Sequence, residues 1–334
     1  MKTLLNIIKY LLPFLLGVGI LWWMYRGTDW TELWHVLCHE VRWGWMLLSL
    51  AFGVVPLTFR ALRWQLALRP IGENPSARIC SDAIYISYAA SLAVPRIGEV
   101  TRCGTLKKYA GISFSKSLGT VVAERVVDSV LMLLIALLSL LSQLPEFLRF
   151  LHSTGTSPRQ LLERFTSTGY LVTAISLLAA LLFMGYLLWN VAAFRKGKEK
   201  VQGFLDGLAS LRKIRRFPLY LLYSIGIWVA YYLHFYIAFF SLSSTASIAP
   251  LQGLLIFTAS SFAVLVPTPN GAGPWHFAVK TMLVLYGVAE EPAVLFVLVV
   301  HTLQTALVVL MGAVGWIDLN ILQNQTTSPE LSKS

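Results

Sequence analysis

Residues 94–99 read Val-Pro-Arg-Ile-Gly-Glu, and residues 267–276 read Pro-Thr-Pro-Asn-Gly-Ala-Gly-Pro-Trp-His. Each segment interrupts a long apolar stretch. Its prolines and glycines break a helix and release backbone groups that hydrocarbon cannot satisfy. Such breaks are tolerated in a membrane only against protein or a water-filled cavity. Because paired interruptions in corresponding halves of a chain are typical of transporters with a site between two repeats, these segments indicate the functional site.

The composition predicts an all-α polytopic membrane protein. Of the 334 residues, 56% are hydrophobic and 13% are charged, and the mean hydropathy is +0.67. We expect six full transmembrane helices, each near or above the roughly 20 residues that a bilayer requires. They are predicted at residues 4–25, 45–68, 115–141, 170–189, 218–240 and 292–316. The first ends in Trp22-Trp23-Met24-Tyr25 without a small-residue cleavage site, which indicates a retained anchor rather than a signal peptide.

Two further apolar regions, near residues 79–110 and 251–287, contain the interruptions and are predicted to be re-entrant helical elements. Two spans, a re-entrant element and a third span then form each half, approximately 1–143 and 168–318. The second half has the inverted topology of the first, so the two re-entrant elements meet near the bilayer midplane. We expect one transmembrane domain over residues 1–322, followed by a disordered polar tail at 323–334.

The basic residues predict the orientation. They cluster in two connections, which we therefore place in the cytoplasm together with both termini. The clusters are Arg69, Arg78, Arg102, Lys107, Lys108 and Lys116, and Arg195, Lys196, Lys198, Lys200, Arg212, Lys213, Arg215 and Arg216. This pattern is typical of a bacterial inner, or cytoplasmic, membrane protein. Residues 195–216 fit either an amphipathic helix on the inner leaflet or a solvated loop.

The net charge of +11 does not indicate a nucleic-acid-binding protein, because the positive charge lies beside apolar spans. Attraction to anionic lipid headgroups explains it better. No metal or other cofactor is predicted. His35, Cys38 and His39 offer three candidate ligands, whereas a structural zinc site uses four organised ones.

Three charges lie inside the predicted span at 115–141. Glu124, Arg125 and Asp128 are spaced so that they share one helical face, and we expect them to neutralise one another. Charged groups inside a membrane are costly and usually face the bundle interior or a cavity. Both a substrate-binding role and a structural ion-pair clamp to the first re-entrant element remain open.

The first interruption carries Arg96, Glu99 and Arg102 at spacings of three, which places them side by side on a short helix. An arginine fork matches phosphate oxygens, so one arginine is a candidate ligand for a lipid phosphate while Glu99 orients the other. An interfacial salt bridge is the alternative. Arg60 and Arg63 are interpreted mainly as snorkelling anchors, and secondarily as headgroup ligands.

In the second interruption, Gly271 and Gly273 permit backbone conformations that other residues avoid, and Pro274 is suited to begin a helix. His276 and Lys280 then lie four residues apart on that helix, whose free amides favour an anion. His276 is a candidate for proton coupling or a hydrogen-bonded structural residue. The polar residues His234, His301 and Gln304 are predicted to link helices.

Three patterns together resemble the lysylphosphatidylglycerol synthase transmembrane-region family, also called flippase-like domain proteins. The patterns are Pro95-x-x-Gly98-Glu99-x-x-Arg102, Glu124-Arg125-x-x-Asp128 and Pro267-x-Pro269-x-Gly271-x-Gly273. The resemblance covers nearly the whole chain, and no synthase domain accompanies it. It implies movement of lipids between leaflets. His276 stands where the family often has glutamate, and Asn270 replaces a frequent glycine.

We therefore expect a lipid transporter or flippase, not an enzyme, that binds an anionic phospholipid or a polyprenyl-phosphate-linked lipid between the re-entrant elements. Arg96, Arg102 and Lys280 are expected to converge on the headgroup. A homo-oligomer or a separate lipid-synthesising enzyme is a possible partner. The alternatives are a glycosyltransferase-like membrane enzyme that uses Asp29 and Glu32, and a noncatalytic lipid-binding assembly subunit. No nucleotide-binding loop is present in the sequence.

Overall fold

A computed structural model of the chain describes residues 19–22, 26, 30–94, 97–144, 205, 209–266 and 268–327. Within these residues the chain forms helices and connections and contains no strand, which confirms the all-α class. The helices are α1 (Trp30–His39), α2 (Trp43–Leu68), α3 (Ala77–Ala93), α4 (Gly98–Ala110), α5 (Phe114–Ser142), α6 (Phe217–Ala238), α7 (Pro250–Ala263), α8 (Pro274–Leu285) and α9 (Glu290–Thr327).

Several helices are suited to cross a membrane. The segments Trp43–Ile71, Phe217–Ser241 and Glu290–Gln325 are long and apolar enough to do so, and they coincide with three predicted spans. Helix α5 covers the predicted span at 115–141 as one helix of 29 residues. The predicted spans at 4–25 and 170–189 lie outside the described residues, apart from 19–22. The same holds for most of 195–216 and of the tail at 323–334. The protein is thus an integral membrane protein.

Each of the two interrupted regions forms a pair of helices that pack against each other. Helices α3 and α4 are the first hairpin, and helices α7 and α8 are the second hairpin. The Ser76 side chain accepts a hydrogen bond from the Ile79 amide and so caps the start of α3, whereas Val94 ends it in an extended conformation. Pro274 occupies the first position of α8, as the sequence predicts. The interruptions therefore act as helix boundaries.

Small residues allow α3 to approach its neighbours closely. A Cβ atom at Gly98 would collide with the Ser87 carbonyl oxygen, and one at Gly312 on α9 would collide with the Ala89 Cβ atom. Such contacts are a common source of helix association in membranes, where apolar burial gives little driving force. An ion pair between Arg78 and Asp318 also joins α3 to α9.

The contacts of one half have counterparts in the other. Helices α2 and α6 pack against each other, α3 packs against α9 as α7 packs against α5, and α4 packs against α5 as α8 packs against α9. Each hairpin therefore contacts the long helix that follows it and the corresponding long helix of the other half. This arrangement encloses a space between the two hairpins and the α2–α6 pair.

We predict that Gly312→Leu destabilises the protein by about 1–3 kcal/mol, because the added side chain overpacks the α3–α9 contact. The measurement is the thermal unfolding temperature of the purified protein in detergent. Val314→Leu is the matched control, since Val314 lies on the same helix with an exposed side chain. Equal unfolding temperatures for the two variants would contradict the close packing of α3 on α9.

Candidate functional site

A cavity of about 560 Å³ lies between the two hairpins. Its walls come from α2 to α9 and from the connection between α7 and α8. Apolar and aromatic side chains form most of the lining, and they include Leu57, Phe235 and Phe257. Charged groups are confined to the part built by α2, α4 and α5. A volume in this range suits a small ligand or the headgroup of a larger one.

Four arginines and three carboxylates form a network at the charged end of this cavity, which we call the arginine cluster. Its members are Arg60, Arg63, Glu99, Arg102, Glu124, Arg125 and Asp128. The innermost pairs are fully buried, with Arg63 and Glu124 exposing 0% and 1% of their surfaces. The formal charge of the network is +1.

Asp128 and Glu124 each join two arginines. The Asp128 carboxylate accepts hydrogen bonds from Arg63 Nη1 at 2.6 Å and from Arg60 Nη1 at 3.0 Å. The Glu124 carboxylate accepts one from Arg102 Nη1 at 2.9 Å and one from Arg63 Nε at 3.3 Å. Since the two acids lie one turn apart on α5, they face α2 and α4 together. The network thus joins α2, α4 and α5.

The structure corrects two sequence interpretations of these charges. Arg60 and Arg63 are not snorkelling anchors, because both are buried and paired with carboxylates. Glu124 and Asp128 are neutralised mainly by arginines of α2 and α4. Within their own helix, Asp128 has one contact with Arg125, at 3.6 Å. The sequence alone did not predict this pairing between helices, because it does not determine which face of α2 packs against α5.

Arg125 and Glu99 form the accessible part of the arginine cluster. Arg125 Nε lies 3.2 Å from Glu99 Oε1, and the Arg125 side chain is 43% exposed. Both residues line the cavity. Among the described residues, Glu99 therefore orients Arg125 and not Arg102, for which the spacing on α4 left a pairing with Glu99 open. Arg96 itself lies outside the described residues.

Four buried polar atoms without a hydrogen-bond partner belong to described residues that line the cavity. They are Arg102 Nη2, Arg125 Nε, Trp228 Nε1 and Thr268 Oγ1, of which Arg125 Nε faces Glu99 in an ion pair. The Arg102 guanidinium group is held by Glu124 on one side and by the Trp64 ring, 4.7 Å away, on one face. A buried polar group without a partner is costly, so these atoms indicate where a ligand would donate or accept hydrogen bonds.

The second interruption forms a tight turn at the other side of the cavity. Asn270, Gly271 and Gly273 have φ angles of 52°, 70° and 90°, so both glycines adopt the left-handed region expected for them. Asn270 Nδ2 donates to Thr305 Oγ1 at 2.7 Å, and His301 Nε2 donates to the Asn270 carbonyl oxygen at 3.2 Å. The turn is therefore tied to α9.

Not all predicted residues of the second hairpin reach the cavity. Asn270 and Gly271 line it, whereas Gly273, His276 and Lys280 are not among its lining residues. His276 Nδ1 instead accepts a hydrogen bond from the Gly273 amide at 3.4 Å, which favours the structural interpretation of His276. Lys280 forms an ion pair with Glu290 at the start of α9. The expected convergence of Lys280 with Arg102 on one headgroup is therefore wrong.

Sequence reasoning missed four residues of the site. Tyr231 accepts a hydrogen bond from Arg60 Nε at 3.2 Å, and its hydroxyl lies 2.6 Å from that of Tyr88. Trp228 and Thr268 line the cavity as well. Aromatic residues make up 13% of the chain, so the three aromatic residues of this group did not stand out in the sequence. Their position inside a bundle is decided by helix packing.

We predict that Glu124→Gln lowers the free energy of unfolding by about 3–5 kcal/mol, because it leaves Arg102 buried without its countercharge and Arg63 with Asp128 alone. Glu73→Gln is the matched control. The Glu73–Lys116 pair is partly exposed, and loss of such a pair costs about 0–1 kcal/mol. Thermal unfolding in detergent measures both variants, and equal stability would show that the cluster does not hold the helices together.

Comparison with known proteins agrees with this architecture. The family described as "Lysylphosphatidylglycerol synthase TM region" matches residues 10–312. UPF0104 membrane protein MJ1078 of Methanocaldococcus jannaschii is 29% identical over 242 residues, which cover 71% of this chain and 97% of the relative. UPF0104 membrane protein PH1989 of Pyrococcus horikoshii is 24% identical over 318 residues, which cover 86% and 90%.

The matched region contains both hairpins, the arginine cluster and all lining residues of the cavity. The resemblance seen in the three sequence patterns is therefore confirmed over residues 10–312, and the match does not depend on a synthase domain. The chain belongs to the lysylphosphatidylglycerol synthase transmembrane-region family.

Proposed function

We propose that this protein is a lipid transporter that moves an anionic lipid between the leaflets of the membrane. The observation that carries the proposal is a cavity inside a membrane protein whose charged end has a formal charge of +1 and an unpartnered arginine nitrogen. Charges inside a membrane protein usually mark a substrate or ion pathway. An anionic headgroup would compensate the excess charge.

The proposed headgroup site consists of Arg102 and Arg125. Arg102 is oriented by Glu124 and Trp64, and its Nη2 atom remains free to donate. Arg125 is oriented by Glu99 and is the more accessible of the two. Planar guanidinium groups match phosphate oxygens in geometry and charge. Two arginines that are already held by carboxylates would bind a phosphate with little loss of side-chain entropy.

An apolar edge of the cavity supports a lipid rather than a soluble ligand. Val264, Leu265 and Val266 follow α7, line the cavity and are exposed on the protein surface. Exposed apolar side chains in a membrane protein are suited to contact acyl chains. We propose that the headgroup enters the cavity past this edge while the chains remain in the bilayer.

The contacts between helices support two inverted halves, approximately 1–143 and 168–318. The central α2–α6 contact and the matching contacts of the two hairpins are those expected from a pseudo-two-fold relation. We propose that the hairpins are re-entrant elements from opposite sides of a bacterial inner membrane, with both termini in the cytoplasm. Such an arrangement provides alternating access to a site between the repeats.

The acids of the cavity favour transport over catalysis. Glu99 and Asp128 are the acidic residues among the described lining, and each is paired with arginines. A general acid or base must exchange a proton with its substrate, whereas these carboxylates hold guanidinium groups. The catalytic alternative relied on Asp29 and Glu32. Asp29 and the side chain of Glu32 lie outside the described part of the chain.

The test is translocation of a fluorescent phosphatidylglycerol in reconstituted vesicles, compared at equal protein incorporation. We predict that Arg102→Lys lowers the rate about tenfold or more. Lysine keeps the charge beside Glu124 but lacks the planar fork in which Nη1 binds Glu124 while Nη2 donates to the phosphate. A lost charge-assisted hydrogen bond costs about 1.5–3 kcal/mol. Arg78→Lys is the matched control, because the Arg78–Asp318 pair lies outside the cavity. It should translocate lipid as the unmodified protein does.

Two results would contradict the proposal. Translocation no faster than in protein-free vesicles would show that the protein does not transport this class of lipid. Equal rates for the unmodified protein and Arg102→Lys would show that the cavity is not the route.

The inverted arrangement has its own test. Single cysteines replace Lys108 or Ser157 in a background in which Cys38, Cys80 and Cys103 are alanine, and intact cells are labelled with an impermeant thiol reagent. We predict reaction at 157 and none at 108, because residue 108 is predicted to lie in the cytoplasm. Labelling at 108 from outside would reverse the orientation, and labelling at both positions would refute it.

A further inference from the structure

Part of the cavity lining, outside the arginine cluster, is polar but uncharged, and we call it the neutral face. Its residues are Trp228, Thr268, His301 and Gln304. It is formed by α6, by the connection before α8 and by α9. Among the described lining residues, the acids Glu99 and Asp128 both belong to the arginine cluster, so the neutral face has no carboxylate.

Two atoms of the neutral face lack partners. Thr268 is 4% exposed, and its Oγ1 atom makes no hydrogen bond within the described structure. The Thr268 backbone is fixed, because its amide donates to the Val266 carbonyl oxygen at 2.8 Å. Trp228 Nε1 is also buried without an acceptor. The Trp228 ring is held edge to face by Tyr231 and Phe257, with centroid distances of 6.4 and 6.3 Å.

Uncharged hydrogen-bonding groups of a ligand can satisfy these two atoms. An indole N–H can only donate, whereas a threonine hydroxyl both donates and accepts. A hydroxyl group satisfies either of them, because it also donates and accepts. A methyl or methylene group would leave both unsatisfied, at the cost of a buried polar group without a partner.

His301 of the neutral face is bound to the turn of the second hairpin. Its Nε2 atom donates a hydrogen bond to the Asn270 carbonyl oxygen at 3.2 Å. In the neutral ring this leaves Nδ1 as an acceptor. The ring also lies tilted against those of His276 and Trp275, with centroid distances of 4.2 and 5.3 Å.

An ammonium group is disfavoured in the cavity. The two acids of the described lining, which would pair with it, are occupied by arginines. An ammonium group would also be repelled by the formal charge of +1 on the arginine cluster, in a region where charges are poorly screened. The cavity is therefore built for a ligand that is anionic at one end and neutral but polar at the other.

We infer that the ligand is a lipid phosphodiester whose second substituent is an uncharged polyol, such as glycerol or a sugar, and that lipids with an ammonium group are excluded. The phosphate contacts Arg102 and Arg125, and the hydroxyl groups contact Thr268 and Trp228. This inference rests on the proposed function, since it names the headgroup that the same cavity takes.

The experiment compares three lipids with identical acyl chains for binding to the purified full chain in detergent by native mass spectrometry. Phosphatidylglycerol and phosphatidylpropanol have the same charge and carbon count and differ by two hydroxyl groups. Phosphatidylethanolamine carries an ammonium group. We expect phosphatidylglycerol to bind about tenfold more tightly than phosphatidylpropanol, as two hydrogen bonds to buried groups would give. Both should bind more tightly than phosphatidylethanolamine.

Variants assign the preference to the neutral face. Thr268→Val should reduce the preference for phosphatidylglycerol over phosphatidylpropanol from about tenfold to about threefold, because one of the two hydrogen bonds is lost, while the affinity for phosphatidylpropanol stays the same. Thr268→Ser should retain the preference, because it keeps the hydroxyl. Thr105→Val is the matched control, since Thr105 is buried outside the cavity and donates within its own helix. An undiminished preference in Thr268→Val overturns the assignment.

The remaining outcomes separate this inference from the proposed function. Equal binding of phosphatidylglycerol and phosphatidylpropanol, both above phosphatidylethanolamine, would overturn the polyol assignment and leave anionic lipid transport standing. Preferred binding of phosphatidylethanolamine would overturn both the polyol assignment and the proposed function.

Soluble glycerol 3-phosphate tests whether the site takes a lipid headgroup or a free phosphate ester. It should not displace phosphatidylglycerol at equal concentration, and displacement would show that the site takes a free phosphate ester.

Discussion

The pairing of arginines with carboxylates between α2, α4 and α5 is the interaction on which the site depends. Arg63, Glu124 and Asp128 are almost completely buried, where a single unpaired charge would cost several kcal/mol. Each carboxylate therefore needs two arginines at hydrogen-bond distance, and this requirement sets the relative position of three helices. The first hairpin is held against the bundle by charge, whereas its contact with α9 uses small residues.

The same network supplies the chemistry of the cavity. Because four arginines face three carboxylates, pairing inside the cluster cannot be complete, and the excess charge lies beside an internal space. Arg102 illustrates this division of roles, since Nη1 binds Glu124 and Nη2 has no partner. A buried polar group without a partner lowers stability. Folded proteins keep such a group where a ligand supplies the missing hydrogen bond.

The second hairpin contributes shape rather than charge. Its turn contains three residues with positive φ angles, Asn270, Gly271 and Gly273. The turn is joined to α9 through Thr305 and His301. A Cβ atom at Gly271 would lie 3.0 Å from Val264, so the glycine also permits the turn to pack closely on the end of α7. The backbone thereby brings Thr268 into the cavity without a helix at that position.

Much of this protein was determined by the sequence itself. Long apolar stretches must form helices in a membrane, because their backbone groups need local hydrogen-bond partners. The prolines and glycines at 94–99 and 267–276 end helices whatever the tertiary structure. Glu99, Arg102, Arg125 and Asp128 were predicted as site residues, since charges in an apolar chain are conspicuous, and all four line the cavity.

Only the tertiary structure decided which charges pair and which polar groups share the cavity. Arg60 and Arg63 are ion-paired rather than snorkelling because α2 faces α5, and Lys280 is directed to Glu290 because α8 packs on α9. Trp228 and Thr268 are part of the site because segments distant in sequence meet there. The spacing of residues within one helix does not predict such contacts.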